Sequence, residues 1–103
     1  MLGINKMMKQ VQEIQAKMVR LQEELGERTV EATVGGGAVK VVANGRQEVL
    51  SIEILPEAID PEDVEMLQDL VLTAVNEALR QSREMVAGEM SKLTGGLKIP
   101  GMF

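Results

Sequence analysis

Lys6, Lys9, Lys17 and Arg20 are the residues whose types and spacing suggest chemistry. Projected on a helix at about 100° per residue, they fall within about 80° of one another, interrupted only by Glu13. Four cations in one sector attract anions, and the sector lies opposite an apolar seam. A solvated helix face is the plain alternative reading of such a stripe. The net charge of the 103-residue chain is −5, which argues against a nucleic-acid partner if only the total is counted. The charge is segregated, however. Residues 1 to 22 carry the four cations against Glu13 alone, whereas residues 57 to 69 carry Glu57, Asp60, Glu62, Asp63, Glu65 and Asp69 with no base.

Other chemistries find little support. With no cysteine and no histidine there are no disulfides, thiolate nucleophiles, histidine-dependent triads or usual zinc ligand sets. The acidic run around Asp60 to Glu65 lacks EF-hand spacing and is accounted for by helix capping. Ser51, Ser82 and Ser91 have no activating partner. Gly35-Gly36-Gly37 lacks the Gly-Lys-Ser/Thr ending of a phosphate-binding loop and reads as a tight hairpin. With Phe103 the single aromatic residue, stacking on single-stranded bases is unavailable. The expectation is a protein without catalytic activity, cofactor, metal or small-molecule substrate.

The elements that would position the cationic stripe are legible from periodicity. Ile4, Met7, Val11, Ile14, Met18, Leu21 and Leu25 occupy a and d of consecutive heptads, and Gly26 ends the helix as its C′ residue. The period then changes to two. Val30, Ala32 and Val34 form one strand, Val39 and Val41 the next, and Leu50, Ile52 and Ile54 a third that Pro56 stops. Asn44-Gly45 signals the second hairpin, and the apolar pattern favours a four-residue loop pairing Val41 with Leu50 and Val39 with Ile52.

A long helix follows, from Asp60 as N-cap and Pro61 as first helical residue to about Leu93, with Val64, Leu67, Val71, Ala74, Val75, Ala78, Ser82, Met85 and Val86 on one stripe. At roughly 50 Å it outruns strands of roughly 20 Å. The predicted fold is therefore α+β: helix, three-stranded antiparallel meander, long helix. Residues 1–94 form a single domain and 95–103 a flexible tail whose apolar residues have docking on a partner subunit as a minority alternative. The overhanging seams of both helices call for a homodimer. Without an apolar leader segment or an 18-residue apolar run, the default expectation is a cytoplasmic protein with no membrane partner.

The residues also match a family in order and spacing. The carriers are Lys6-Met7-Met8-Lys9-Gln10 with Gln12 and Leu21-Gln22-Glu23-Glu24-Leu25; Gly36-Gly37 with Val39, Val41 and Asn44-Gly45; Leu67-Gln68-Asp69-Leu70-Val71 with Ala74, Asn76 and Ala78; and Gly95-Gly96-Leu97 with Pro100-Gly101-Met102-Phe103. In these the chain resembles the YbaB/EbfC family of bacterial nucleoid-associated proteins. Gln68 stands where the family commonly has an acid, a conservative departure. The resemblance implies a non-enzymatic, nucleoid-associated, tweezer-like homodimer that grips double-stranded DNA with helical arms. Carried over by position, it points to Lys6, Lys9, Gln10, Lys17 and Arg20 on the first helix and to Arg80, Arg83 and Lys92 on the long one. Gln12 and Gln15 are further candidates for neutral hydrogen bonds. The rival reading is a protein–protein adaptor that uses the exposed seams and the apolar tail.

Overall fold

A heptad seam uninterrupted by proline gives a first helix, α1 (Leu2–Glu27), of 26 residues, about 39 Å long. A computed structural model of the chain describes the backbone of residues 2–95 and the side chains of 3–92. Among the described positions of α1, only Leu25 and Gly26 are buried, with Met18 and Leu21 half-buried. The helix therefore leaves the body as an arm. The molecule measures 75 × 25 × 16 Å and its radius of gyration is 20.3 Å, against about 13 Å for a compact chain of this length.

Three strands follow in a meander of order β1-β2-β3: β1 (Thr29–Val34), β2 (Val39–Asn44) and β3 (Val49–Ile54). Both neighbouring pairs are antiparallel, as the alternation predicts. The first hairpin joins the register partners Val34 and Val39 through Gly35, Gly36, Gly37 and Ala38. The three glycines have φ of 64°, 68° and 93°, a left-handed run that residues with a Cβ rarely follow.

The second hairpin corrects the expected register. Val41 pairs with Ile52 and Val39 with Ile54, rather than with Leu50 and Ile52. Two one-residue displacements cause this. The Asn44 amide donates to the Glu48 carbonyl (3.0 Å) across a three-residue loop, Gly45-Arg46-Gln47, whose last residue is left-handed (φ 61°). Leu50 is then an extra residue, a bulge between the Ala43–Val49 and Val42–Ser51 partners. A net shift of two leaves the alternation of faces intact, so Ile52 and Ile54 still share a face with Val41 and Val39.

The long helix, α2 (Val64–Gly95), has 32 residues and spans about 48 Å. It starts later than the sequence suggests. Asp60 and Pro61 belong to a turn in which the Asp63 amide donates to the Asp60 carbonyl (3.0 Å) and the Glu62 amide to Asp60 Oδ1 (2.9 Å). With Asp60 committed there, Asp63 is the N-cap, its Oδ1 accepting from the Met66 amide at 3.2 Å. A 3₁₀ turn, Pro56–Ala58, precedes this segment. The expected tail, apart from Gly95 at the end of α2, lies outside the described residues.

The core forms where α2 crosses β1 and β2. Ala32, Val39, Val41, Ala43, Ala74 and Ala78 are its buried members, flanked by Val30, Val34, Ile54, Leu67, Leu70, Val71, Val75 and Leu79. Small side chains at Ala74, Ala78 and Ser82, each fully buried, let the helix backbone approach the sheet closely. The face of β3 is poorly covered: Leu50 is 54% exposed and Ile52 45%.

Candidate nucleic-acid interface

The arm exists because its seam meets the body only at its base. Leu25 is 1% exposed, while Ile4, Met7, Val11 and Ile14 along the same seam lie open. The opposite sector carries the cations. Lys6, Lys9, Lys17 and Arg20 are exposed, and among the described residues none enters an ion pair or a side-chain hydrogen bond, so each ammonium or guanidinium is open to an outside anion. From Lys6 to Arg20 the stripe runs about 21 Å, the length of about six phosphate repeats along one DNA strand. Gln10 projects at the edge of the stripe, close to Lys6 and Lys17. Gln12 and Gln15 project away from it and are poorer candidates. Glu24 and Glu27 fall on the stripe's own face at the base of the arm, so the positive surface is confined to the outer turns. Their positions in the heptads would have shown this from the sequence.

The three candidates on α2 differ from one another. Arg83 is exposed and has no ion pair among the described residues. Arg80 is clamped between Glu77 and Glu84, and the hydrogen bonds it donates to these two carboxylates hold its pKa above the ordinary value. The same contact, with a smaller one from Gln81, lowers the Glu77 carboxyl. Lys92 pairs with Glu89 at 3.2 Å, and Glu89 also meets Arg28 at 3.5 Å. Two of the three α2 cations are thus already matched, a pattern that the (i, i+3) and (i, i+4) spacing of Glu77, Arg80 and Glu84 foreshadows.

The arm and the acidic run sit at opposite ends of the sheet. The arm's base contacts the Asn44-Gly45-Arg46 turn, since the Gly45 amide donates to the Arg28 carbonyl (3.0 Å). The acidic segment follows Leu55, whose amide donates to the Ala38 carbonyl (2.9 Å) at the far hairpin. Among the described residues no group of three or more acidic side chains is placed to hold a metal ion. No helix among them is long and apolar enough to cross a membrane.

Comparison with known proteins agrees with this architecture. The model of the family described as "YbaB/EbfC DNA-binding family" matches residues 1–97. A nucleoid-associated protein of Pelotomaculum thermopropionicum is 70% identical over 98% of this chain and 96% of its own length. One of Desulforamulus reducens is 72% identical with the same coverage. Among solved structures, an uncharacterized protein of Helicobacter pylori superposes with a TM-score of 0.60 at 22% identity, covering 84% of this chain and 96% of the other, a likeness of fold.

Proposed function

The chain belongs to the YbaB/EbfC DNA-binding family, and from that premise we propose that two copies form a tweezer-like homodimer that binds double-stranded DNA mainly through phosphate contacts from the α1 arms. It acts without catalysis, as a nucleoid-associated protein of the cytoplasm, in keeping with the names of its relatives. The observation that carries this reading is the row of unpaired cations, Lys6, Lys9, Lys17 and Arg20, on a helix that stands clear of the body. Lysine and arginine on a smooth helix face, with no aromatic side chain to stack and Gln10 as the neutral donor, suit backbone contact rather than base reading. The duplex contacts are those of Lys6, Lys9, Gln10, Lys17 and Arg20, with Arg83 as an outlying contact; Arg80 and Lys92, already paired, contribute least.

The dimer is supported by apolar surface that a single chain leaves open. Met7 is 66% exposed, Leu72 60% and Ile59 55%, alongside Leu50 and Ile52 on β3. Exposed apolar surface of this amount favours an interface. The adaptor reading draws on the same side chains, which a different protein could cover. Sedimentation at micromolar concentration, combined with fluorescence anisotropy on duplexes of unrelated sequence at low salt, separates the two. A dimer mass with salt-reversible binding to every duplex is the expected result. A monomer mass overturns the dimer, and absence of binding at low salt overturns the DNA reading.

A further inference from the structure

We propose that the seat of Leu25 and Gly26 on the Asn44-Gly45-Arg46 turn, tied from behind by Ser82, is the joint that sets the direction of the α1 arm, and that Gly45 and Ser82 are positioning residues for the cationic stripe. The functional half of this proposal rests on the DNA-binding reading above; the structural half stands on the contacts themselves. A Cβ placed on Gly45 would lie 1.8 Å from the Leu25 carbonyl oxygen, 2.6 Å from its carbon and 3.2 Å from Gly26 Cα. These are backbone atoms, so no rotamer change relieves the overlap. Gly45 is not among the residues of positive φ. Its lack of a side chain therefore serves the close approach of the arm rather than the shape of the turn.

The turn beneath the arm is braced. Asn44 Oδ1 accepts from the amides of Arg46 (3.0 Å) and Glu48 (3.1 Å), and its Nδ2 donates to Glu48 Oε1 (3.0 Å). The Asn44 carbonyl accepts from the Gln47 amide (3.1 Å) and from Ser82 Oγ (2.6 Å), a hydroxyl fully buried on α2. Arm, sheet and long helix thus meet through one short turn. The arm acts as a lever on it. Lys6 lies about 28 Å along the helix from Leu25, so a tilt of about 10° moves it about 5 Å, beyond the reach of a charge-assisted hydrogen bond of about 2.8 Å.

The absence of cysteine allows a spin-label pair at two exposed sites off the stripe, Gln12→Cys on the arm and Thr73→Cys on α2, diluted with unlabelled chain. Pulsed EPR should give one narrow distance in the parent. Gly45→Ala should shift or broaden it by several ångströms while cooperative melting is retained, weaken duplex affinity about tenfold, and lower the salt slope by at least about 1 as the outer cations lose register. Ser82→Ala removes the hydroxyl at nearly constant volume; it should broaden the distribution and weaken binding about threefold, and it decides the matter where Gly45→Ala does not fold. Unchanged distances in a folded variant overturn the joint. A displaced arm with parental affinity overturns its role in binding. A parent that binds no duplex refutes the DNA reading while the distances still judge the joint.

Discussion

Replacing Lys6 and Lys9 together by alanine tests the proposed contact mode most directly, because the structure supplies the numbers. The α1 arm presents four cations that, among the described residues, have no internal pair to break before meeting a phosphate. Each phosphate neutralised contributes about −0.9 to the slope of log affinity against log salt, so an arm engaging four gives about −3.6 and two arms about −7. The double substitution halves these to about −1.8 and −3.6. Between about 50 and about 200 mM salt the parent then loses about 150-fold in affinity with one arm engaged, and the variant about 12-fold. Alanine is the best helix former, so the arm stays helical and the comparison is of charge. Anisotropy titrations over that salt range, on two duplexes of unrelated sequence, provide the measurement. A slope reduced by about 2 indicates grip by one arm, and one reduced by about 4 grip by both. An unchanged slope, or a loss confined to one of the duplexes, refutes phosphate contact by these residues.

On α2, Arg83→Ala should lower the same slope by about 1, whereas Arg80→Ala should leave it unchanged, since its charge is already met by Glu77 and Glu84; the reverse order would show that the clamp opens on DNA. The Glu77 carboxyl is lowered, first by the hydrogen bond from Arg80 and then by that from Gln81. A carboxyl lower in the folded than in the unfolded chain stabilises the fold above its ordinary value of 4.5 and loses that contribution as pH falls through the folded value. An NMR titration should therefore place Glu77 below 4.5, and a midpoint at or above it counts against the clamp. In the core, Ala78→Leu forces bulk between α2 and the sheet where Ala78 is wholly buried, at a cost of about 1–3 kcal/mol. Calorimetry should show a melting temperature lower by at least about 4 °C, and an unchanged value would mean that the helix does not press on β2 as described.

Much of this was legible in the sequence wherever a contact is local and periodic. The seam from Ile4 to Leu25, the alternation through Val30–Val34 and Val39–Val41, and the glycine run each name their element without reference to the rest of the chain. What escaped depends on contacts between distant residues or on competition between neighbours. Asp60 and Asp63 are both good caps, and only the turn around Pro61 decides that Asp60 is used elsewhere. The Leu50 bulge leaves no signature in an alternation it preserves. In the sequence Gly45 is half of a hairpin signal, yet its structural demand comes from Leu25, twenty residues earlier. The proposed binding side chains are visible as a stripe. On α2 the spacing of Glu77, Arg80 and Glu84 foreshadows a neutralised cation, whereas the contact of Glu89 with Arg28 joins distant residues and shows only in the geometry.

How a chain of net charge −5 can approach a polyanion follows from where its ends lie. The acidic run follows β3 beside the glycine hairpin, and the arm starts beside the Asn44 turn, a six-residue strand away, or about 20 Å. That is more than twice the screening length of about 8 Å at physiological ionic strength, so the outer turns of α1 present a locally positive surface whatever the total. α2 begins at the acidic end, reaches the Asn44 turn at Ser82, and continues about 20 Å further with Glu89 meeting Arg28 there. Arg83 and the overhang of α2 therefore leave the sheet at the same end as the arm. In the proposed binding mode a duplex meets the cations at that end, while Asp60, Glu62, Asp63 and Glu65 disfavour docking at the other, where they act at close range. In that mode the segregation of charge would set which end of the protein faces the duplex. It also means that neutralising the acidic run should raise affinity less than removing the arm's cations lowers it, since the run acts across a screened distance and the cations at contact.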